Sequence, residues 1–262
     1  MNRRLSLALA AGATALLLAG LPARAEDLVA VIKAARPSVL PVGTYNATDA
    51  PRFGFRGTGF VVGAGNWLVT NFHVLPPAAE VESSQSLMVM ASREAGAGQL
   101  RRARLIAADR VRDLVLLELE GPPLPALALD EAGAVREGQA VALMGFPIGG
   151  VLGFAAVTHR GIVASITTAA LPAPSAQQLD ARAVSRLREG NFEVLQLDAT
   201  AYPGNSGGPL LDASSGRVVG IVNQVLVKGS RESALTHPTG ITYAIPVRYL
   251  HELLAEAARN RK

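Results

Sequence analysis

The chain of 262 residues contains no cysteine. Disulfide staples, thiolate metal sites and a cysteine nucleophile are thereby excluded. Aromatic residues are scarce, at 5%, and charged residues reach only 18%, whereas 49% of the chain is hydrophobic. That balance describes a globular protein with an aliphatic interior and enough apolar material for one or two cores. Histidine is sparse too. His73, His159, His237 and His251 form no H-x-x-x-H pair and have no carboxylate at ligand spacing, so neither a metal nor another cofactor is expected. The glycine-rich stretch "PGNSGG" lacks the G-x-x-x-x-G-K-[ST] pattern and a strand-loop-helix context, which argues against a phosphate cradle.

An excess of either charge sign is also missing once the amino terminus is set aside. The first 25 residues hold three of the 25 basic residues and no acid, leaving 22 basic against 21 acidic. The cluster "LRRARL", Leu100 to Leu105, reads as an exposed strand face with no nucleic-acid motif beside it, so no nucleic-acid partner is expected. The amino-terminal segment itself has two arginines, an apolar run and a small-residue Ala23-Arg24-Ala25 end, the three regions of a secretory signal. Cleavage is expected before Glu26, giving a periplasmic or secreted protein with no membrane span. A retained anchor is the alternative, although the run is short for a span of ~20 apolar residues. Asn2-Arg3-Arg4-Leu5 hints at twin-arginine export, but its surroundings fit that signal poorly.

After the signal, "EDLVAVIKAARPSVLPVGTY" predicts a short amphipathic helix, Leu28 to Ala35, stopped by Pro37 and followed by an extended Val39 to Tyr45. Short runs rich in Val, Ile, Leu and Thr then recur between turn residues: "GTGFVVG", "NWLVTNF", "SLMVMAS", "ARLIAAD", "DLVLLEL", "QAVALMGF", "VTHRGIVASI", "FEVLQLDA", "GPLLD", "GRVVGIVNQVLV" and "TGITYAIPV". Such runs are buried strands of an all-β barrel or sandwich. The Pro- and Gly-rich Gly121 to Gly138 divides them into two groups, one barrel on each side, with residues 26–130 forming the first unit and 131–262 the second. Pro246 is placed in the first turn of a helix whose Leu250, Leu253, Leu254 and Ala257 line one face and cap the second barrel. Leu171 to Asn191 and Lys228 to Gly240 read as long surface loops.

One serine, Ser206, sits amid glycines and prolines in "DATAYPGNSGGPLLD". A serine hydroxyl needs a base within hydrogen-bond reach and a third group to orient that base before it becomes a useful nucleophile. "NWLVTNFHVL" supplies His73 after an apolar strand, and "ADRVRDLVLLEL" supplies Asp113 at the edge of another. Asp109, four residues upstream, is the competitor for that role; Asp198 and Asp212 read as turn residues.

Together, "GTGFVV…WLVTNFHVL", "DLVLLEL", "DATAYPGNSGGPLLD", "GRVVGIV" and "GITYAIPV" resemble, in order, the signatures of the trypsin-like serine proteases, in particular the bacterial HtrA/Deg family, from Ser38 to Leu254. The order His, Asp, Ser is that of the chymotrypsin type. The resemblance implies two six-stranded antiparallel β-barrels with a short amino-terminal helix and a carboxy-terminal capping helix. It makes Ser206 the nucleophile, His73 the general base and Asp113 the group that orients the imidazole. Gly204, Asn205 and Ser206 become the oxyanion hole. Thr200, Ile221, Val222, Asn223, Tyr243 and Ala244 are placed around the substrate, with the Ile221 to Gln224 edge pairing with an extended polypeptide. Neutral Thr200 at the pocket floor implies small or medium hydrophobic side chains at the cleaved position, not Lys or Arg.

The resemblance therefore implies an exported serine endopeptidase acting on unfolded polypeptides, and makes a homotrimer plausible. The alternative is a catalytically quiet peptide-binding or chaperone-like module on the same scaffold. Many family members continue into PDZ domains, and none is expected here. The long loops are expected to keep resting activity low until they are ordered.

Overall fold

The structure is a computed structural model, and it describes residues 24–77, 86–92, 99–131, 135–147, 149, 153–169, 192–223 and 240–260. The two long loops fall almost wholly outside these residues, as does the signal segment up to residue 23.

Helix α1, Arg24–Ala35, starts four residues before the expected Leu28 and leads through a 3-10 turn, Arg36–Ser38, into strand β1, Val39–Tyr45. Strands β2 (Phe53–Val62), β3 (Trp67–Asn71), β4 (Ser86–Ser92), β5 (Gln99–Asp109) and β6 (Leu114–Leu119) complete a barrel closed in the order β1-β2-β3-β6-β5-β4. A second barrel closes as β10-β11-β12-β9-β8-β7. Its strands are β7 (Ala140–Gly145), β8 (Val157–Thr168), β9 (Glu193–Asp198), β10 (Pro209–Asp212), β11 (Val218–Asn223) and β12 (Ile241–Pro246). Every pairing between named strands is antiparallel. The expected double barrel is thus present. Helix α2 spans Val247–Asn260, so Pro246 ends β12 instead of opening the helix. Leu250, Leu253 and Ala257 are buried and Leu254 packs partly against the core, the face its spacing predicts.

Three apolar clusters follow from this arrangement. Leu40, Val42, Leu68, Val115 and Leu117 fill the first barrel, and Leu143, Val163, Leu195, Leu210 and Val222 fill the second. Phe60, Leu114 and Leu116 meet Met144, Leu211, Ile221 and Ile245 between the barrels, joined there by Tyr249 and Leu250 of α2. Strand residues alternate between a barrel interior and this middle layer, so runs such as "LVLL" are apolar on both faces. The dividing segment acts as a strap: the Leu127 amide donates to Val61 in the first barrel at 2.9 Å, and Leu129 bridges to Val218 in the second. Arg102 and Arg104 of β5 are exposed, as expected for a solvated strand face.

The segment after Ser206 is packed so closely that it tolerates no side chain at one position. Gly207 has φ +84, and a Cβ there would lie 2.2 Å from the Thr58 carbonyl and 2.3 Å from Thr70 Oγ1. The first is main chain, and the second is a buried hydroxyl held by its own bond to that carbonyl at 2.7 Å. Gly207→Ala is expected to cost about 3 kcal/mol or more, lowering Tm by roughly 6–12 °C. Thermal unfolding followed by circular dichroism, in a Ser206→Ala background to prevent self-digestion, checks this; an unchanged Tm contradicts it.

Candidate active site

Where β3 ends, the chain turns through Phe72–Val74 in a single 3-10 turn that carries His73 to the edge of the first barrel. Arg56 of β2 holds the end of this turn, donating from Nε to the Val74 carbonyl at 2.8 Å and from Nη2 to that of Leu75 at 3.1 Å. Asp113 sits in the turn between β5 and β6 with φ +57, a left-handed conformation that costs a non-glycine residue roughly 1 kcal/mol or more. The bonds around it offset that cost. Its carbonyl accepts from the Phe72 amide at 3.1 Å and from Asn71 Nδ2 at 3.0 Å. Its Oδ1 accepts from the His73 amide at 2.9 Å, and its Oδ2 lies 2.6 Å from His73 Nδ1. A carboxylate at Nδ1 selects the tautomer with its proton on that nitrogen, leaving Nε2 as the acceptor.

Asp109, the competitor, is spent elsewhere: it accepts from the amides of Val111 and Arg112 at 3.1 and 3.0 Å and pairs with the Arg112 guanidinium at 2.9 Å. Asp212 caps its own turn, accepting from Ser214, Ser215 and Gln139. Burial alone would raise the Asp212 pKa, but these donors hold its carboxyl well below the usual carboxylate range.

Ser206 lies on the second barrel, 6% exposed, against the first: its carbonyl accepts from the Thr58 amide at 2.9 Å. The backbone beyond it pairs with β11, the Gly207 amide donating to Val222 and the Val222 amide to Gly208, each at 2.9 Å. The next residue of β11, Asn223, donates from Nδ2 to Asp113 Oδ2 at 2.8 Å. One strand therefore connects the serine segment to the His73–Asp113 pair.

The bend before the serine is a type II turn. The Asn205 amide donates to the Tyr202 carbonyl at 3.0 Å, Pro203 stands at the second position, and Gly204 at the third has φ +105. Only a residue without Cβ adopts that angle readily, and the angle decides which way the Pro203–Gly204 amide faces. Thr58 Oγ1 fastens the Gly204 carbonyl at 2.6 Å and accepts from the Phe146 amide at 3.1 Å. Because the Asn205 amide closes the turn, it is not available as an oxyanion donor, which corrects the three-residue expectation. The Gly204 and Ser206 amides have no backbone acceptor among the described residues.

Several of the residues expected around the substrate have buried side chains. Ile221, Val222 and Ala244 are 0% exposed; Ile221 lies in the layer between the barrels, and Val222 and Ala244 inside the second barrel. A central strand is covered on both faces, so these side chains shape the site from behind. Asn223, 1% exposed, turns its side chain to Asp113. Thr200 and Tyr243 are half-buried, and Thr242 closes the region beneath by donating from Oγ1 to the Ala199 carbonyl at 2.6 Å. Among the described residues no group of three or more His, Asp or Glu side chains could hold a metal ion.

The fold has counterparts among known proteins. The family described as "Trypsin-like peptidase domain" matches residues 57–221, more than half of the chain. The chain belongs to the trypsin-like peptidase family. The trypsin-like domain is similar to a "Probable periplasmic serine endoprotease DegP-like" of Pseudomonas fluorescens, 31% identical over 191 residues, covering 73% of this chain and 32% of the relative. It is also similar to "Serine protease Do-like HtrB" of Bacillus subtilis, 28% identical over 197 residues, covering 75% of this chain and 36% of the relative. The chain thus spans about a third of the length of these curated relatives. Among solved structures, "HtrA-type protease AlgW with decapeptide" superposes with a TM-score of 0.62 at 21% identity, covering 88% of this chain and 67% of that one. A serine endoprotease from Yersinia pestis superposes with a TM-score of 0.60 at 22% identity, covering 90% of this chain and 68% of that one.

Behind the serine loop of the trypsin-like domain, His159 of β8 packs its ring against Tyr202 with centroids 5.8 Å apart. Burial lowers the His159 pKa from its ordinary 6.5 by disfavouring the charged ring. The unfolded chain then takes up a proton first as pH falls. The stability His159 contributes is complete above 6.5 and lost between that value and the lower folded one. Wild-type stability, and Tm with it, is expected to drop on acidification through this window, the free energy by at most about 1 kcal/mol per pH unit because the ring is partly exposed. The drop should flatten in His159→Phe. Equal slopes for both proteins in a melting series across the window would contradict the assignment.

Proposed function

We propose that the protein is an exported serine endopeptidase that cleaves unfolded or extended polypeptides through Ser206, His73 and Asp113. The supporting observation is the junction at β11, which pairs with the backbone after Ser206 and donates through Asn223 to the carboxylate that binds His73 Nδ1. In this reading His73 Nε2 takes the Ser206 proton as Oγ attacks the scissile carbonyl, and returns it to the leaving amine. Asp113 keeps the imidazole in the required tautomer and stabilises its charged form. The Gly204 and Ser206 amides receive the oxyanion, each donor being worth about 2.7–4 kcal/mol of barrier. Asn205 sets the turn that aims them.

Neutral Thr200, taken in this reading as the pocket floor, favours a small or medium hydrophobic residue before the cleaved bond over Lys or Arg. Selectivity at such a pocket is loose, each methylene of misfit changing the rate by only ~1–3 kcal/mol. The periplasmic names of the DegP-like relatives fit the amino-terminal signal, and no helix among the described residues is long and apolar enough to cross a membrane. Assembly into a homotrimer belongs to the same reading, and sedimentation of the purified protein tests it.

A fluorophosphonate probe tests the chemistry directly. Incubated with the purified protein and mapped by peptide mass spectrometry, it should modify the segment containing Ser206, and the protein should degrade casein. An adduct confined to another residue, with casein degraded, would remove Ser206 from its assigned role.

A further inference from the structure

Arg112 immediately precedes Asp113, and its surroundings are more elaborate than a surface arginine needs. Its guanidinium carbon stands 4.2 Å from the centre of the Tyr249 ring, and its Nη1 reaches Asp109 at 2.9 Å and Glu252 of α2 at 3.0 Å. The Tyr249 ring also receives Arg248, 4.7 Å from its centre, and Phe192 edge-on at 6.0 Å. Its hydroxyl accepts from the Glu193 amide at 3.0 Å and from Arg248 Nη2 at 2.8 Å, while Arg248 pairs with the Glu193 carboxylate. Tyr249 is only 7% exposed and belongs to the layer between the barrels. A continuous line of contacts therefore runs from β9 of the second barrel, through the helix, to the residue before Asp113.

Within the first barrel that turn is held by its own bonds, and the stack ties it to the helix from outside. Asp109 accepts from the amides of Val111 and Arg112, and the following residue adopts φ +57. The partly solvated ion pairs of Arg112 add little stability in themselves. A planar guanidinium on an aromatic face, in contrast, fixes position, and lysine does not replace it there.

We infer that the Arg112–Tyr249 stack positions Asp113 against His73, making the carboxy-terminal helix a part of the catalytic apparatus. This rests on the triad reading above. Arg112 and Tyr249 are positioning residues and touch no substrate. Loss of the stack lets the turn relax and the carboxylate drift from the imidazole, and a displacement near 1 Å in such a unit costs up to about a hundredfold in rate.

The test compares wild type, Arg112→Met, Arg112→Lys, Tyr249→Leu, Tyr249→Phe and Ser206→Ala, using initial rates on fluorescent casein over a range of concentrations below each variant's melting temperature. In parallel, proton NMR follows the low-field resonance of the His73 Nδ1 proton, deshielded by its short bond to Asp113. Arg112→Met and Tyr249→Leu should lower kcat by about ten- to a hundredfold with KM changed less than threefold, and should shift or broaden the low-field signal. Arg112→Lys, which keeps the charge and loses the planar stack, should share much of that loss, whereas Tyr249→Phe, which keeps the ring and loses the hydroxyl's bonds to Glu193 and Arg248, should lose less than Tyr249→Leu. The inference is overturned by any of three results: Arg112→Met with kcat within twofold of wild type, a lowered kcat with the low-field signal in place, or wild-type kcat in Arg112→Lys. If Arg112→Met does not fold, Arg112→Lys and Tyr249→Leu decide the matter alone. Activity of Ser206→Ala equal to wild type would instead defeat the triad reading itself, so the two failures are distinguishable.

Discussion

Replacing Ser206 with alanine is expected to lower kcat on casein by roughly 10⁵- to 10⁶-fold while leaving the fold unchanged. The hydroxyl is the only atom group removed, and alanine keeps the Cβ in the same packed position. The Ser206 carbonyl still accepts from Thr58, and Gly207 still pairs with Val222, because both bonds involve main chain. What is lost is the covalent route. The two amides of the turn and the binding surface would still supply a residual acceleration of about 10³- to 10⁴-fold over water. The comparison requires equal Tm and equal circular dichroism for both proteins. A loss below a hundredfold would mean that another nucleophile carries the reaction.

Asp113→Asn should reduce kcat by about 10⁴-fold, through the hydrogen-bond roles of its neighbours. The two carboxylate oxygens face three donors: the His73 amide, His73 Nδ1 and Asn223 Nδ2. A carboxylate accepts from all three, whereas a carboxamide must point its NH₂ either at the single donor on the Oδ1 side or at the two on the Oδ2 side. If the NH₂ takes the Oδ2 site, it opposes Asn223 and turns His73 Nδ1 into an acceptor, so that Nε2 carries the proton and has no lone pair for Ser206. In the reverse orientation it opposes the His73 amide and unsettles the turn. The first outcome removes the base and the second misplaces it, while shape alters very little in either. Steady-state kinetics beside an unchanged fold is the check, and a decrease of less than tenfold would contradict the role given to Asp113.

Local chemistry made most of the fold legible. Short β-branched runs bounded by Gly, Pro, Asn and Asp predict strands, and all the expected runs contribute one. The ends were less clear where polar residues pair within a barrel: β2 begins at Phe53 and β5 at Gln99, ahead of their apolar runs, because "FGFR" and "QLRR" gain their strand character from neighbours and not from composition. The parts of the site that sequence could not show are contacts across long separations. Thr58 fastens Gly204 over 146 positions, and Asn223 meets Asp113 over 110. "GTGF" did carry a signal, a hydroxyl between glycines in an otherwise apolar strand, yet nothing local names its acceptor. Ile221, Val222 and Ala244 were expected around the substrate because a strand edge was read there; in the fold their side chains are buried and β11 is paired with β10 on one edge and β12 on the other. The choice between Asp109 and Asp113 turned on geometry: Asp109 satisfies its own turn, and Asp113 reaches back to His73.

Those long separations also bear on the order of events during synthesis. Bonds between segments more than a hundred residues apart form only after most of the chain has been made, and folds dominated by such contacts assemble slowly. His73 and Asp113 can meet within the first barrel. Asn223 and the turn before Ser206 arrive only when the second barrel has closed against it. On the proposed reading a protease of unfolded chains is most dangerous to its own nascent copies, and its cutting centre would come into being only once its own chain is no longer prey.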